Sequence, residues 1–85
     1  MTEDLREALK EKKVVLGSSR TVKYLKMGKV RMVIVASNCP ENIRKDLEQY
    51  AKMGEVKLEG FDGTANQLGV FCGKPFSISS LAIVK

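Results

Sequence analysis

The sequence predicts an α/β fold in which a mixed β-sheet is covered by helices on both faces. Four short apolar or alternating segments are separated by segments with helical spacing, and this strand–helix alternation is typical of the α/β class. Residues 31–36, RMVIVA, are apolar at five consecutive positions, as expected of a strand covered on both sides. A length of 85 residues allows one domain, residues 1–85, with a single small core.

The first half of the chain is predicted to contain two helices and two strands. Residues 3–12 have acidic residues near their start and basic ones near their end, which predicts a helix capped by Thr2. Residues 14–16 form the first strand, and residues 19–27 form a second helix. Gly28 suits the left-handed position that follows a helix, and residues 31–36 then form the second strand.

The second half repeats this alternation. Pro40 is tolerated near the first helical position, and apolar residues recur from residue 43 to residue 51 at helical spacing, so a third helix is predicted to run to Gly54. Residues 56–59 alternate as a half-covered strand does. Thr64 is predicted to cap a fourth helix whose apolar side faces inward, and residues 78–84 form the last strand.

Positive charge is concentrated in one segment of the chain. Residues 12–31 contain seven basic residues and no acidic one, whereas residues 32–85 contain six of each. The net charge of +5 is therefore local, and it favours an acidic partner, with nucleic acid favoured over a membrane. No apolar run approaches the length of a membrane span, and the charged N-terminus does not resemble a secretory signal.

The residues available for catalysis and metal binding are few. The chain has no histidine, which excludes nucleophile–histidine arrangements, and its two cysteines are too few for a zinc site or a disulfide scaffold. Cys39 lies beside Pro40 at a predicted helix start, a position where the pKa of a thiol can fall. Cys72 is expected in the core. The sequence therefore predicts a non-enzymatic protein of a reducing, cytoplasmic compartment, with no catalytic residue, metal or cofactor.

The segment GSSRTVK, from Gly17 to Lys23, follows a strand and opens a helix. The N-terminus of a helix carries unpaired N–H groups and partial positive charge, so this turn has the features of a phosphate cradle. It is not a Walker P-loop, because the residue before Lys23 is Val22 and not glycine. The simpler interpretation is a capped helix with solvated lysines.

Three further residues have both a structural and a functional interpretation. Asn38 and Asn66 lie at predicted helix starts, where an amide either caps a helix or contacts RNA bases and 2′-hydroxyls. Phe76 lies in the Gly-Lys-Pro-Phe loop, where an aromatic ring either joins the core or contacts exposed bases.

At these residues the sequence resembles the ribosomal and kink-turn RNA-binding protein family. Two segments carry the resemblance, LGSSRTVKYLKMGKVRMVIVASNCPENIRKDLEQYAKMGEVKL and GTANQLGVFCGKPFSISSLAIV. Four motifs within them occur in the family's order: the glycine turn that leads into Thr-Val-Lys, then Ala-Ser-Asn-Cys-Pro, Asn-Gln-Leu-Gly and Gly-Lys-Pro-Phe. The resemblance implies a three-layer α-β-α sandwich around a four-stranded mixed sheet. It also implies a structural protein of the large ribosomal subunit that binds a kink-turn, an RNA internal loop bent sharply and closed by G·A pairs.

Carried over by position, the resemblance implies a set of RNA-binding residues. The start of the second helix would meet RNA backbone and bases, the two asparagines would add polar contacts, and the Phe76 loop would pack against splayed bases. The implied residues are Gly17, Ser18, Ser19, Arg20, Thr21, Lys23, Asn38, Asn66, Phe76, Ser77 and Ile78.

Two departures from the family pattern keep alternatives open. Ser19 stands where a basic residue is common, and the chain ends directly after the last strand, where these proteins carry a short tail. The implied partners are ribosomal RNA and other ribosomal components, with no membrane and a monomer when isolated. The alternatives are a small kink-turn binder outside the ribosome and a basic protein-interaction module, and an enzyme acting on a phosphate ligand ranks last.

Overall fold

The computed structural model describes residues 2–85, with side chains from residue 5 onward, and its eight elements follow the predicted order. The predicted cap by the side chain of Thr2 lies outside the described residues. Strands alternate with helices along the whole described chain. The elements are α1 (Thr2–Lys10), β1 (Val14–Leu16), α2 (Ser18–Lys26), β2 (Val30–Val35), α3 (Glu41–Met53), β3 (Lys57–Gly60), α4 (Ala65–Phe71) and β4 (Ser80–Val84).

The four strands form one mixed sheet in the order β1-β4-β2-β3. Strand β4 pairs antiparallel with both β1 and β2, whereas β2 and β3 are parallel. Strands β1, β2 and β3 therefore point the same way, and their carboxyl ends lie at one edge of the sheet, together with the start of β4. The loops at this edge are the ones that contain most of the sequence-predicted site.

Helices cover both faces of the sheet, which confirms the predicted three-layer sandwich. On one face, Leu5 of α1 and Leu68 of α4 pack against the Ile34 and Leu81 side chains of the central strands. On the other face, Leu25 of α2 and Leu47 of α3 belong to a second cluster that includes Val33, Val35 and Ala82. Residues 32–36 are all buried, as expected for a central strand with apolar layers above and below it.

A β-bulge shifts the register of β2 against β4 between Val30 and Met32. The bulge leaves Arg31 as the additional residue on β2, so Val30 lies in the same core cluster as Val33 although three positions separate them. As a result Val30 is buried and Arg31 is exposed, and the predicted strand begins one residue earlier than expected.

All four helices end with the same hydrogen-bonding pattern. The second and third N–H groups after each helix bond back to its last turn, in a Schellman arrangement that requires one residue with positive φ. Gly28 fills this position after α2, as predicted. After α3 the predicted end at Gly54 is confirmed, and the left-handed position belongs to the following residue, Glu55, with a φ of 56°.

Replacing Glu55 with glycine is expected to stabilise the protein. A non-glycine residue in the left-handed region costs about 1–2 kcal/mol, and part of that gain is offset by the greater chain entropy of glycine, so we expect about 0.5–1 kcal/mol. Urea unfolding measures this change. Glu55→Ala is the matched control, since it removes the exposed carboxylate but keeps the strained backbone, and a glycine variant no more stable than this control would contradict the assignment.

Candidate functional site

Loops from both halves of the chain meet at the edge where β1 and β2 end and β4 begins. Main-chain hydrogen bonds join them: the Ala36 N–H donates to the Ser79 carbonyl, and the Ser37 N–H donates to the Gly63 carbonyl. The loops that follow β1, β2 and β3 are therefore held beside the loop that precedes β4. This arrangement brings residues 17 and 76 together although 58 other residues separate them in the sequence.

The turn between β1 and α2 depends on Gly17. Its φ of 97° and ψ of 150° form a conformation that side-chain-bearing residues rarely adopt, so glycine is required there. The Gly17 N–H donates to the Ser80 carbonyl at 3.0 Å, and the Gly17 carbonyl accepts from the Thr21 N–H and hydroxyl. Hydrogen bonds therefore fix both backbone groups of Gly17, its N–H and its carbonyl.

A second bond holds the start of α2 against β4. The hydroxyl oxygens of Ser18 and Ser80 lie 2.7 Å apart, and Ser80 is fully buried beneath the turn. A buried hydroxyl is costly without a partner, so this pair satisfies Ser80 and fixes Ser18 at the same time. Ser80, the first residue of β4, was not among the residues predicted from the sequence.

The N-terminus of α2 has no side-chain cap. Gly17 occupies the capping position, and the first turn contains no acidic residue. By contrast, Thr64 caps α4 by accepting from the Gln67 N–H while the Gln67 side chain accepts from the Thr64 N–H. The N–H groups at the start of α2 therefore remain available to an external acceptor, with the exposed Arg20 beside them.

The loop that follows α4 packs directly on this helix at Gly69. A Cβ at residue 69 would overlap the carbonyl oxygen of Phe76, so only glycine lets the loop approach this closely. The Ile78 N–H donates to the Ala65 carbonyl at 3.0 Å, and the Ile78 side chain is buried in the core beside α4. With both of its ends anchored, the loop leaves the Phe76 side chain 55% exposed.

Two adjoining grooves share Phe76 and Ser77. The first has a volume of about 440 Å³ and lies between the Gly17 turn and the loop; it is lined by Leu16, Gly17, Ser18, Arg20, Phe76, Ser77, Ile78 and Ser79. The second has a volume of about 320 Å³ and lies between the loop and α4; it is lined by Asn66, Val70, Lys74, Pro75, Phe76 and Ser77. Together they form a continuous surface with cationic, apolar and amide groups.

Asn38 connects the loop after β2 to α4. Its side-chain oxygen accepts from the Ala65 N–H at 2.8 Å, so the structural role weighed for this residue, helix capping, is present. This bond uses the oxygen and leaves the amide nitrogen, which carries two donors, facing an exposed position. Asn66, the next residue of α4 after Ala65, is also exposed and lines the second groove, whereas Asn38 lines neither of the two grooves.

Two predicted contact residues are buried. Thr21 is 0% exposed, and its hydroxyl donates to the Gly17 carbonyl at 2.7 Å. Ile78 is 3% exposed, precedes β4 instead of beginning it, and packs in the core. Both side chains therefore support the site from beneath, Ile78 also lines the first groove, and contact of these two residues with RNA stays a prediction.

Ser19 and Lys23 are exposed but lie outside the two grooves. Ser19 precedes Arg20 in the first turn of α2. Lys23, one helical turn after Arg20, lines another groove beside β1. The positive charge of α2 thus extends from the Gly17 turn along the outer side of the sheet.

The seven clustered bases do not share one surface. All are exposed, but the Lys26 ammonium lies 5.2 Å from the Tyr50 ring centroid on α3, and Lys13 pairs with Glu11 at 3.5 Å. Arg20 is the member of the cluster that lines the groove at the Gly17 turn. The local charge excess read from the sequence is real, but folding divides it between sites.

The two thiols do not have the environment of reactive cysteines. Burial raises the pKa of Cys39 above its usual value, against a smaller opposing effect of Arg44, and burial likewise raises the pKa of Cys72. A helix start can lower the pKa of a thiol, but at Cys39 partial burial has the larger effect. Among the side chains of residues 5–85, no cluster of histidine, cysteine, aspartate or glutamate is arranged to hold a metal ion.

Sequence reasoning missed several residues of this surface besides Ser80. Gly69, Val70, Lys74 and Pro75 all lie in or next to the second groove. Val70 is 75% exposed, since the side of α4 that faces the core carries Leu68, Phe71 and Cys72 and leaves Val70 on the outward side. An apolar residue on the outward side of a short helix next to an exposed aromatic ring indicates a binding surface.

Comparison with known proteins gives a match over the whole chain. A family model described as "Ribosomal protein L7Ae/L30e/S12e/Gadd45 family" matches residues 1–85. The large ribosomal subunit protein eL30 of Methanothermobacter thermautotrophicus is 44% identical over 79 residues, which are 93% of this chain and 81% of that protein. The eL30 of Methanopyrus kandleri is 45% identical over 80 residues, covering 94% of this chain and 73% of that protein.

Solved structures show the same fold at low sequence identity. A Bacillus halodurans protein of unknown function superposes with a TM-score of 0.84 at 20% identity, covering 92% of this chain and 77% of that one. A Giardia lamblia protein, described as a 15.5 kD RNA-binding protein, gives a TM-score of 0.78 at 21% identity, covering 93% and 66% of the two chains. Among the described residues no helix is long and apolar enough to cross a membrane.

Replacing Gly69 with alanine is expected to displace the loop that carries Phe76. The added methyl group overlaps a backbone carbonyl, and because backbone cannot be repacked as a side chain can, we expect a loss of about 1–3 kcal/mol. Urea unfolding measures the loss, and amide NMR shifts at residues 76–78 locate it.

Val70→Ala is the matched control for this variant. It changes the neighbouring position of the same helix, but the side chain is exposed, so its effect should stay within about 0.5 kcal/mol. Equal stability of the two variants, with unchanged shifts at residues 76–78, would contradict the close approach at Gly69.

Proposed function

Since the chain belongs to the ribosomal protein L7Ae/L30e/S12e/Gadd45 family, we propose that it is an RNA-binding structural protein of the large ribosomal subunit. Its site of action is then the cytoplasmic ribosome, and its partners are ribosomal RNA and other ribosomal components. The relatives it matches are named as ribosomal proteins, which have a structural role and no enzymatic one. Within this role we propose that it recognises a kink-turn and is a monomer when isolated.

The observation that carries the proposal is the groove between the Gly17 turn and the Phe76 loop. It combines an uncapped helix N-terminus, the Arg20 side chain and an exposed aromatic ring in one groove with a volume of about 440 Å³. Phosphate oxygens suit the first two groups, and an unstacked base suits the third. A segment of RNA with an exposed base supplies both chemistries within a few ångströms of each other.

The positioning of these groups fits an irregular RNA better than a regular duplex. In an A-form duplex the bases are stacked and the major groove is too narrow for side chains, so an exposed Phe76 would find no base to contact. A kink-turn presents splayed bases beside a bent backbone. Phe76 then packs against a splayed base, while the amide groups of Asn38 and Asn66 donate to base edges or 2′-hydroxyls.

The basic residues of α2 supply the part of the affinity that does not depend on RNA structure. Arg20 lies at the groove, and Lys23 follows one turn later on the same helix. Contacts between these cations and phosphates release counterions, so this contribution weakens as salt increases. Preference for one RNA shape, by contrast, comes from the loop and the two asparagines.

The test compares binding to a kink-turn RNA with binding to a length-matched duplex that lacks the G·A pairs, across a salt series. We expect tighter binding to the kink-turn, and we expect this preference to persist at high salt because base and shape contacts do not release counterions. Equal binding to both RNAs, lost together as salt rises, would leave only a basic surface and would overturn the kink-turn assignment. No measurable binding to either RNA would favour a protein-interaction module.

Phe76→Ala is expected to reduce kink-turn binding roughly tenfold to a hundredfold, the usual range for loss of one base–aromatic contact, with little effect on the duplex. Met53→Ala is the control, since Met53 is equally apolar and 73% exposed but lies at the end of α3, away from the grooves. An equal loss on both RNAs for Phe76→Ala would remove its assigned role.

Lys23→Gln should weaken the binding of both RNAs and lower the slope of log K against log salt by about 0.7–0.9.

A further inference from the structure

Strand β1 is an outermost strand of the sheet, and its unpaired long side is called the open edge here. In the order β1-β4-β2-β3 it is paired on one side only, with β4. An edge strand presents unpaired N–H and C=O groups, which a further extended chain is able to bind. Its three residues, Val14–Leu16, are each partly exposed.

The register determines which groups of β1 face outward. The Val84 N–H donates to the Lys13 carbonyl and the Gly17 N–H donates to the Ser80 carbonyl, so this carbonyl and this N–H of residues 13 and 17 point toward β4. In an antiparallel pair this direction alternates, and Val15 therefore also faces β4. The N–H and C=O groups of Val14 and Leu16 consequently point to the open side.

A groove with an apolar wall flanks β1 on the face covered by α1 and α4. It has a volume of about 380 Å³, and apolar side chains from α1, β1 and the end of α4 form its wall, with a lysine on each side. Its lining consists of Leu9, Lys12, Val14, Leu16, Cys72 and Lys74. A side chain that enters this groove from a fifth strand would pack against Val14 and Leu16, because residues on the same face of neighbouring strands are in contact.

The groove on the opposite face of β1 is basic. It has a volume of about 540 Å³, and three cations line it, namely Lys12, Arg20 and Lys23, together with Val14, Val15, Tyr24 and Val84. Among the side chains of residues 5–85, no acidic one lines either groove. The two faces beside one open edge thus differ in chemistry, one being largely apolar and the other cationic.

We propose that the open edge of β1 binds an extended acidic segment of a partner protein by β-strand addition. Successive side chains of a strand point to opposite faces, so a segment with alternating apolar and acidic residues places the first kind against Leu9 and Cys72 and the second kind beside Arg20 and Lys23. The backbone of this segment bonds to Val14 and Leu16. This surface adjoins the groove at the Phe76 loop and shares Leu16 and Arg20 with it, and it goes beyond the proposed RNA recognition.

Two features favour a protein strand over an RNA backbone at this edge. RNA phosphates fit the basic groove but leave the apolar groove and the outward backbone groups of β1 unused. Lysines beside an edge also discourage self-association, which is why the expected segment is acidic and not a second copy of this chain.

The experiment uses the full chain and the probe peptide acetyl-Glu-Val-Glu-Val-Glu-amide. Titration is followed by NMR, with hydrogen exchange of backbone amides. We expect saturable binding and slower exchange of the Val14 and Leu16 amides, with little change at Val15, which already faces β4. The peptide acetyl-Val-Val-Glu-Glu-Glu-amide has the same composition without the alternation, and the first peptide with its valine amides N-methylated retains the side chains but loses the donors; both should bind at least about fivefold more weakly.

The variant Lys12→Glu tests where on the protein the peptide binds, because Lys12 lines both grooves beside β1 and lies outside the groove at Phe76. It should weaken peptide binding about fivefold or more, whereas Lys10→Glu, a change of equal charge on the exposed side of α1, should have a smaller effect. Three results would each overturn the proposal: no saturable binding, equal binding of the N-methylated peptide, or protection of amides away from β1. Weaker kink-turn binding by Lys12→Glu, without peptide binding, would assign the groove to nucleic acid instead.

Discussion

The turn at Gly17 and the start of β4 are held together by two hydrogen bonds, one between backbone groups and one between the hydroxyls of Ser18 and Ser80. Residues 18 and 80 are far apart in the sequence, yet this attachment fixes where α2 begins and where its free N–H groups point. Because Ser80 is fully buried, breaking the contact would leave a buried hydroxyl without its partner, which is costly. The grooved surface on both sides of Phe76 depends on this constraint, since the loop that leads into β4 must pass beside the turn.

The two helices that border this surface differ at their N-termini, since side chains cap α4 but not α2. Helix α4 is capped three times, by the side chains of Thr64, Gln67 and Asn38, and it supports the loop through Gly69. Helix α2 begins at a glycine and has no cap, so its terminal N–H groups remain for a ligand. The capped helix provides rigidity and the uncapped one provides binding capacity, and both are needed because exposed loop residues do not hold a defined shape by themselves.

Exposed apolar side chains at this edge are not required by the fold. The core is complete without Phe76 and Val70, and a monomer gains nothing in stability by presenting them to water. The same holds for the open edge of β1, where apolar and cationic grooves lie on opposite faces. Each of these features becomes useful only when a partner covers it, and the two surfaces suit partners of different chemistry: unstacked RNA bases at one and an extended acidic segment at the other.

The amino-acid sequence by itself determined the order of the eight elements, the two-sided burial of the sheet and the local excess of positive charge. These follow from apolar periodicity and from glycine and proline positions, which act over a few residues and are therefore visible in the chain. It also singled out Gly17, Arg20, Asn38, Asn66 and Phe76, which the fold gathers at one edge. Tertiary structure alone decided that Thr21 and Ile78 are buried, that Asn38 caps a helix 27 positions away, and that Ser80 and Gly69 hold the site in place. Such roles arise from contacts between distant segments, and no local pattern records them, because burial and pairing depend on which faces the sheet topology brings together.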